Sequence, residues 1–372
     1  MKPVNVEDYR KLAAKRLPRM VFDYLDGGAS GERGLHRNRH AWEAITFEPK
    51  RLSDVGNRDL SIELFGRRQT LPLVIAPTGL NGAIRPAGDF LLAKAAAKAG
   101  IPFALSTASN VAIEDLARRV DGELWFQLYV VQRGLAKALV QRARSAGFST
   151  LILTTDVAVN GRRERDMRSG FGVPFRYTPR IVLDAAMHPQ WTVAQLRHGL
   201  PQLANFASVD ADNVEAQAAV MRRQMDASFN WDDLKALRDE WHGTLLVKGI
   251  LGTADSVRCQ ELGVDGVIMS NHGGRQVEDL RAPVEALASV ASSISVPVII
   301  DSGIRRGTDV VKALALGAKA VMLGRATLYG LAARGEEGVL DVLRMLREEI
   351  DSTIALIGCE ACAKLDGTYL AR

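Results

Sequence analysis

Residues 297–325 read PVIIDSGIRRGTDVVKALALGAKAVMLGR. Pro297 opens a short Val/Ile run, DSGIRR is a polar loop, and TDVVKALALG spaces its apolar residues as a helix does. Gly317 closes that helix, and KAVMLGR is a second apolar run ending on Gly324-Arg325. The unit is strand, loop, helix, Gly, strand. Six more apolar runs of strand length precede it: PLVIAP from Pro72, PFALS from Pro102, LWFQLY from Leu124, TLILTTD from Thr150, TLLVKG from Thr244 and DGVIMSN from Asp265. Helix-like stretches such as DFLLAKAAAKAG, AIEDLARRV, GLAKALVQRARSAG and TADSVRCQELG lie between them, and Gly100, Gly147 and Gly263 again stand before the next run. Near-continuous apolar strands alternating with amphipathic helices imply a parallel sheet covered by helices. Eight such units favour an α/β fold closed as a (β/α)8 TIM barrel, with a doubly wound sheet as the second architecture.

A barrel of this kind takes roughly 250 residues, and the chain has 372. The excess falls in two places: an N-terminal helical segment, 1–70, and an insertion between strands four and five, where 94 residues separate Thr150 from Thr244. One elaborated barrel domain over 1–372 is therefore expected. The insertion, about 168–229, reads two ways. It is a lid or surface excursion, or it is a monotopic membrane patch in which Phe171, Phe175, Tyr177, Ile181, Val182, Leu183 and Trp191 enter lipid while Arg168, Arg176, Arg180 and Arg197 meet anionic headgroups.

With 47% hydrophobic and 24% charged residues and a net charge of +5, the chain is neither disordered nor committed to nucleic acid. Cys259, Cys359 and Cys362 are too few for a secreted disulfide scaffold, and Cys359-Glu360-Ala361-Cys362 lacks the further ligands of a zinc site, so ordinary thiols are expected. P-loop, GxGxxG and HExxH patterns are absent from the sequence, which weakens triphosphatase, nicotinamide-Rossmann and zinc-protease readings.

Chemistry in such a barrel collects at the C-terminal strand ends. Polar groups follow almost every run: Pro77-Thr78-Gly79, Ser106, Gln127 with Tyr129, Thr154 and Asp156, Lys248, Ser270 to Arg275, Asp301 to Arg305, and Gly324-Arg325. Gly303, Arg305, Gly324 and Arg325, in the last two loops, match a phosphate cradle built from glycine amides and an arginine clamp. With Gln127 and Lys248 across the mouth they suggest a phosphorylated flat cofactor. In SNHGGRQ, His272 between polar and glycine neighbours is the candidate base. Arg275 and Arg163 would clamp a carboxylate, and Asp156 is expected to pair with the imidazolium and raise its pKa. Arg162, Arg165 and Arg168 read as a solvated charge run.

From NVEDYRKLAAKRLP and FDYLDGGA through IAPTGLNG, FQLYV, TTDVAVNGRRERD, LVKGI, SNHGGRQ and DSGIRRGTDVVKALALGA to GRATLYGLAARG, the chain resembles the FMN-dependent L-2-hydroxy acid oxidases and dehydrogenases. Within that family it is most similar to the branch that oxidises (S)-mandelate, including the insertion around HPQW and RHGLPQLANF. The resemblance implies FMN held by Pro77, Thr78, Gly79, Ser106, Gln127, Thr154, Lys248 and Ser270 at the ring and ribityl region. Asp301, Ser302, Gly303, Ile304, Arg305, Gly324 and Arg325 would hold the phosphate end. It implies His272 as base with Asp156 as partner, and Arg163, Arg275, Tyr24 and Tyr129 as substrate contacts. Ala108 replaces the bulky Trp and Gly79 the Ala of glycolate oxidase-like members, which favours an aromatic substrate, oxidised to the 2-oxo acid (benzoylformate), and an acceptor other than oxygen. A quinone or other electron-transport acceptor, a homotetramer and a cytoplasmic, peripherally membrane-bound location follow from the same likeness. A glycolate- or lactate-type oxidase releasing hydrogen peroxide is the alternative, and an isomerase or synthase barrel or a non-enzymatic membrane scaffold are more distant ones.

Overall fold

A computed structural model describes residues 2–172, 178–199, 201–206 and 225–371. Phe175, Arg176, Tyr177 and most of the polar stretch from Asn213 lie outside the described residues. Three helices come first: α1 (Val6–Arg16), α2 (Arg19–Asp26) and α3 (Arg33–Glu43). The Asn5 side chain starts α1 by accepting from the Asp8 N–H, a standard N-cap. The N-terminal segment is helical only this far. Strands β1 (Ile62–Leu64) and β2 (Arg67–Gln69) form an antiparallel ribbon. Phe65 and Gly66, both at positive φ, make its turn. The Phe65 ring meets Trp125 edge-on at 5.9 Å, and a Cβ on Gly266 would lie 3.1 Å from its tip. Both neighbours sit at strand starts, so the ribbon plugs the N-terminal end of the barrel.

The barrel strands are β3 (Leu73–Ile75), β4 (Phe103–Ser106), β5 (Leu124–Leu128), β6 (Thr150–Thr154), β7 (Thr244–Ile250), β8 (Gly266–Met269), β9 (Val298–Ile300) and β10 (Ala320–Leu323). Each pairs in parallel with the next and β10 closes on β3. All eight runs expected from sequence are thus strands. Their side chains fill the interior and the strand–helix interface together, which is why the runs are continuously apolar. The helices between include α4 (Asn81–Ile84), α5 (Gly88–Ala99), α6 (Ile113–Arg119) and α7 (Arg133–Ser145). Gly100, Gly147, Gly263 and Gly317 take φ between +64° and +102°, the left-handed geometry that ends a helix without a Cβ clash.

Between β6 and β7 the insertion carries α8 (Glu164–Ser169), α9 (Pro179–Ala186), α10 (Pro189–His198) and a short turn at Ala204–Phe206. It is sewn to the barrel rim. Trp191 Nε1 donates to the Ala83 carbonyl at 2.8 Å and Gln195 Nε2 to that of Gly82 at 2.7 Å. The apolar residues expected to face lipid therefore divide. Phe171 stacks on Tyr24 with centroids 4.1 Å apart, and Ile181 and Trp191 pack against the core, because the segment must bury one face to dock at all. Val182 and Leu183 stay exposed, joined by Met187, Val193 and Leu196. Among the described residues no helix is long and apolar enough to cross a membrane.

Candidate active site

At the C-terminal rim lies a cavity of about 500 Å³, lined by Tyr24, Thr78, Gly79, Ala108, Tyr129, Arg163, Lys248, His272, Arg275, Ser302 to Arg305, Gly324 and Arg325, among others. The strand ends bring together residues up to 247 positions apart in the chain, from Thr78 to Arg325, and α2 adds Tyr24.

His272 sits at φ +57°, followed by Gly273 and Gly274 at +65° and +73°. Three successive left-handed residues are costly outside glycine. The turn is fixed by the His272 N–H donating to Ser270 Oγ at 3.0 Å and by the Gly274 N–H donating to Asn271 Oδ1 at 3.0 Å. It presents Nδ1 to Asp156 Oδ1 at 3.0 Å and Nε2 to the Tyr129 hydroxyl at 3.4 Å. Asp156 can approach because Gly249 has no side chain: a Cβ there would stand 2.8 Å from the Asp156 Cβ. Asp156 does not raise the imidazole pKa on balance, contrary to the expectation from sequence. Burial, aided by the positive charges of Lys248 and Arg163, outweighs it and leaves His272 below the ordinary value. A neutral imidazole is the form that accepts a proton. Burial works the other way on Asp156, yet His272 and Lys248 hold its carboxyl below the usual range.

Lys248 is buried at the end of β7. It donates to Ser270 Oγ at 2.7 Å and pairs with Asp301 at 3.1 Å. Burial favours the neutral amine, but Asp301 and Asp156 prevail and raise its pKa. Two strands away, Gln127 takes a bond from Ser106 Oγ at 3.1 Å, while Gln127 Nε2 and Thr154 Oγ1 are buried without a hydrogen-bond partner among the described residues. Such groups cost free energy unless something supplies the missing bond. A flat heteroaromatic ring with carbonyl and ring-nitrogen edges fits this set.

The opposite end of the cavity fits an anion. Gly303 runs so close to α3 that a Cβ would lie 2.5 Å from the Asn38 carbonyl, whereas a Cβ at Gly324 would meet nothing within 4 Å. Gly324 caps the helix Arg325–Arg334, placing N-terminal amides at the cavity. Arg305 lies with its guanidinium 5.5 Å from the Tyr329 ring centre. Arg325 is held by backbone carbonyls: Nε by Leu25 at 3.2 Å, Nη1 by Gly273 at 2.9 Å and Nη2 by Gly27 at 2.7 Å. Burial pulls its pKa down to about 9, so it is still charged at neutral pH. Arg275 Nη1 likewise donates to the Tyr24 and Gly27 carbonyls at 2.8 and 2.7 Å. Tyr24 itself reaches the Gly79 carbonyl with its hydroxyl at 3.1 Å.

Pro77 lies two residues past the end of β3, directly before the cavity-lining Thr78. Several supporting residues leave no sequence signal. Asn38 and Asn271 exchange side-chain amide bonds at 2.9 and 2.7 Å, and Trp42 Nε1 donates to the Ser302 carbonyl at 3.0 Å. Helix α3 thereby braces the loops after β8 and β9. Arg165 corrects the expectation of a solvated run: it pairs with Asp26 at 2.9 Å and Glu32 at 2.9 Å. Asp26 also receives Arg10 and the Tyr329 hydroxyl at 2.7 Å, and these partners overcome its burial and draw its pKa down to about 2. Arg168 does remain exposed, paired with Glu164. All three cysteines are free and buried.

A model of FMN-dependent dehydrogenases matches residues 13–372. The chain is 58% identical over 366 residues to (S)-mandelate dehydrogenase of Pseudomonas putida, covering 98% of this chain and 93% of that one. It is 38% identical to L-lactate dehydrogenase of Pectobacterium atrosepticum over 371 residues, 98% and 96% of the two chains. A crystal structure of monotopic membrane (S)-mandelate dehydrogenase superposes with a TM-score of 0.97 at 57% identity, over 100% of both chains.

Proposed function

The chain belongs to the FMN-dependent dehydrogenase family, and we propose that it oxidises (S)-mandelate or a closely related aromatic (S)-2-hydroxy acid to the 2-oxo acid. The observation that carries this is the pairing of Asp156 and His272 at 3.0 Å in a cavity that also holds Arg163 and Arg275. FMN, when bound, supplies the two-electron sink. Gln127, Thr154, Ser106, Ser270, Lys248 and the segment Pro77-Thr78-Gly79 would hold its ring and ribityl region. Asp301 to Arg305 with Gly324 and Arg325 would hold the phosphate.

Arg163 and Arg275 bind the substrate carboxylate, with Tyr24 and Tyr129 completing the contact to carboxylate or hydroxyl. Oxidation of R–CH(OH)–COO⁻ to R–CO–COO⁻ removes two electrons and two protons; His272 Nε2 takes one of those protons, and the other leaves with the electron pair for bound FMN. Asp156 then faces an imidazolium whose charge it stabilises. Lys248 offers positive charge against the negative charge that the two electrons bring. Gly79 and Ala108 leave the space that a phenyl ring needs, and they are coupled: a Cβ on Gly79 would lie 2.9 Å from that of Ala108.

The exposed residues Val182, Leu183, Met187, Val193 and Leu196 of α9, α10 and the link between them would seat the insertion in the inner face of the cell membrane, where a quinone or comparable carrier takes the electrons onward. One barrel domain, repeated in a homotetramer, is the organisation we expect. Anaerobic titration of the purified flavoprotein with (S)-mandelate, L-lactate and glycolate tests the reading. Flavin bleaching by mandelate at the lowest concentration supports it. Preferential bleaching by lactate or glycolate with rapid oxygen uptake makes the protein a small-substrate oxidase, and no bleaching by any of them removes the reading.

A further inference from the structure

Beneath the cavity wall formed by Gly79 and Ala108 lies a carboxylate that the chemistry above does not use. Asp89, in the first turn of α5, is completely buried. Three donors from two different loops converge on it. Asn81 Nδ2 reaches Oδ1 at 2.8 Å, and Ser109 Oγ and the Asn110 N–H reach Oδ2 at 3.2 and 3.1 Å, the Ser109 hydroxyl being shared with the Val111 carbonyl at 2.8 Å. Asn81 closes the first loop on itself, donating to the Thr78 carbonyl at 3.0 Å and accepting from the Thr78 hydroxyl at 3.0 Å. Two further bonds run directly between the loops, from the Leu80 N–H to the Ala108 carbonyl at 3.0 Å and from the Gly82 N–H to Asn110 Oδ1 at 2.7 Å. Leu80 is held at φ +56°, a conformation that a leucine adopts only when its surroundings impose it.

We propose that Asp89 is a positioning residue that locks the loop after β3 to the loop after β4, and so fixes the Gly79–Ala108 wall against which the substrate side chain packs. This rests on the reading that Gly79 and Ala108 border that side chain. A carboxylate is suited to the task because the Asn81 amide and the Asn110 N–H both point inward with the Ser109 hydroxyl beside them, and a neutral amide in its place would turn an N–H₂ toward donors that need an acceptor. The lock extends to the insertion, since the Ala204 N–H donates to the Ser109 carbonyl at 3.1 Å and Asn110 Nδ2 to that of Gln202 at 2.7 Å. His272, Arg163 and Arg275 stand on other loops. The group that Asp89 controls most directly is therefore the side-chain end of the pocket; it reaches the carboxylate end only through the Tyr24 hydroxyl, which donates to the Gly79 carbonyl at 3.1 Å.

The test compares the parent flavoprotein with Asp89→Asn, and with Asp341→Asn as a control for a carboxylate that binds Tyr9 and Arg334 away from the cavity. Bleaching of the parent by mandelate is established first, so a failure there counts against the function and not against Asp89. In Asp89→Asn, KM for mandelate and the Kd of the unreactive aryl acid phenylacetate, read from the flavin spectrum, should rise about 10-fold. kcat/KM for lactate should stay within about 2-fold. Asp341→Asn should lower thermal stability and leave the mandelate-to-lactate ratio unchanged. If Asp89→Asn does not accumulate with flavin bound, Ser109→Ala, which removes one donor, should move the ratio in the same direction by a smaller factor. An unchanged ratio in the variant so used, or an equal fall for both substrates, overturns the proposal.

Discussion

Replacing Asp156 with Asn removes a charge and almost no volume, so the space kept open by Gly249 remains filled. A unit charge pair at the observed 3.0 Å is worth about 5 kcal/mol at an effective dielectric of about 20. The amide oxygen keeps a hydrogen bond to Nδ1, and the imidazole is only partly charged when its proton arrives. About half of the pair energy is then lost, roughly 2–3 kcal/mol of barrier, or about 30- to 150-fold in rate. Anaerobic stopped-flow flavin reduction by saturating (S)-mandelate reads that factor directly. The pH profile adds a sign. Burial with Lys248 and Arg163 already holds His272 below the ordinary imidazole value, and Asp156 is the group pulling it up. Activity is present while His272 is neutral and is lost as pH falls through its pKa, so the acid limb of kcat/KM should move to lower pH in Asp156→Asn. A reduction rate within about 3-fold of the parent, or a limb that moves upward, refutes the role given to the pair.

Gly79→Ala drives a methyl against Ala108 at 2.9 Å and should cost about 1–2 kcal/mol; Ala108→Gly added to it should recover part of that loss in a thermal-unfolding cycle, and strict additivity would show that the two do not touch. Asp26 is held at about 2 against about 3.9 unfolded, a contribution of about 2–3 kcal/mol that is present above pH 4 and lost as pH falls through 2. Urea unfolding should therefore show Asp26→Asn markedly less stable at neutral pH, with the gap closing in acid. Leu183→Glu with Leu196→Glu should move the protein from membranes to the supernatant while leaving turnover with mandelate intact; retention on washed membranes at ordinary salt would show that other surfaces hold it.

The eight strands were legible because a strand buried on both faces can hardly contain a polar residue until it reaches the rim, where Gln127, Thr154, Lys248 and Ser270 appear together with the chemistry. Helix ends at Gly100 and Gly317 were legible because only a residue without Cβ turns there cheaply. What escaped is what depends on distance along the chain. Asn38 is an ordinary surface-type residue until folding sets it face to face with Asn271 of the SNHGGRQ motif, 233 positions away. Arg165 shares its local pattern with the exposed Arg168, and only the arrival of Asp26 and Glu32 separates them. Asp89 reads as a plain first-turn acid of α5, which it also is. The net direction of the His272 shift depended on how deeply the imidazole is buried, a quantity that no motif encodes.

The carbonyl end of α2 has a consequence for how anions reach this site. Arg325 donates to the Leu25 and Gly27 oxygens, and Arg275 to those of Tyr24 and Gly27. These oxygens are dipoles: they steady two neighbouring cations without cancelling them, and they cannot titrate away. As built, the carbonyl end of α2 holds both guanidinium groups in place without adding a titratable group, so encounter with 2-hydroxy acids should slow as ionic strength rises, while this support stays constant across the neutral range.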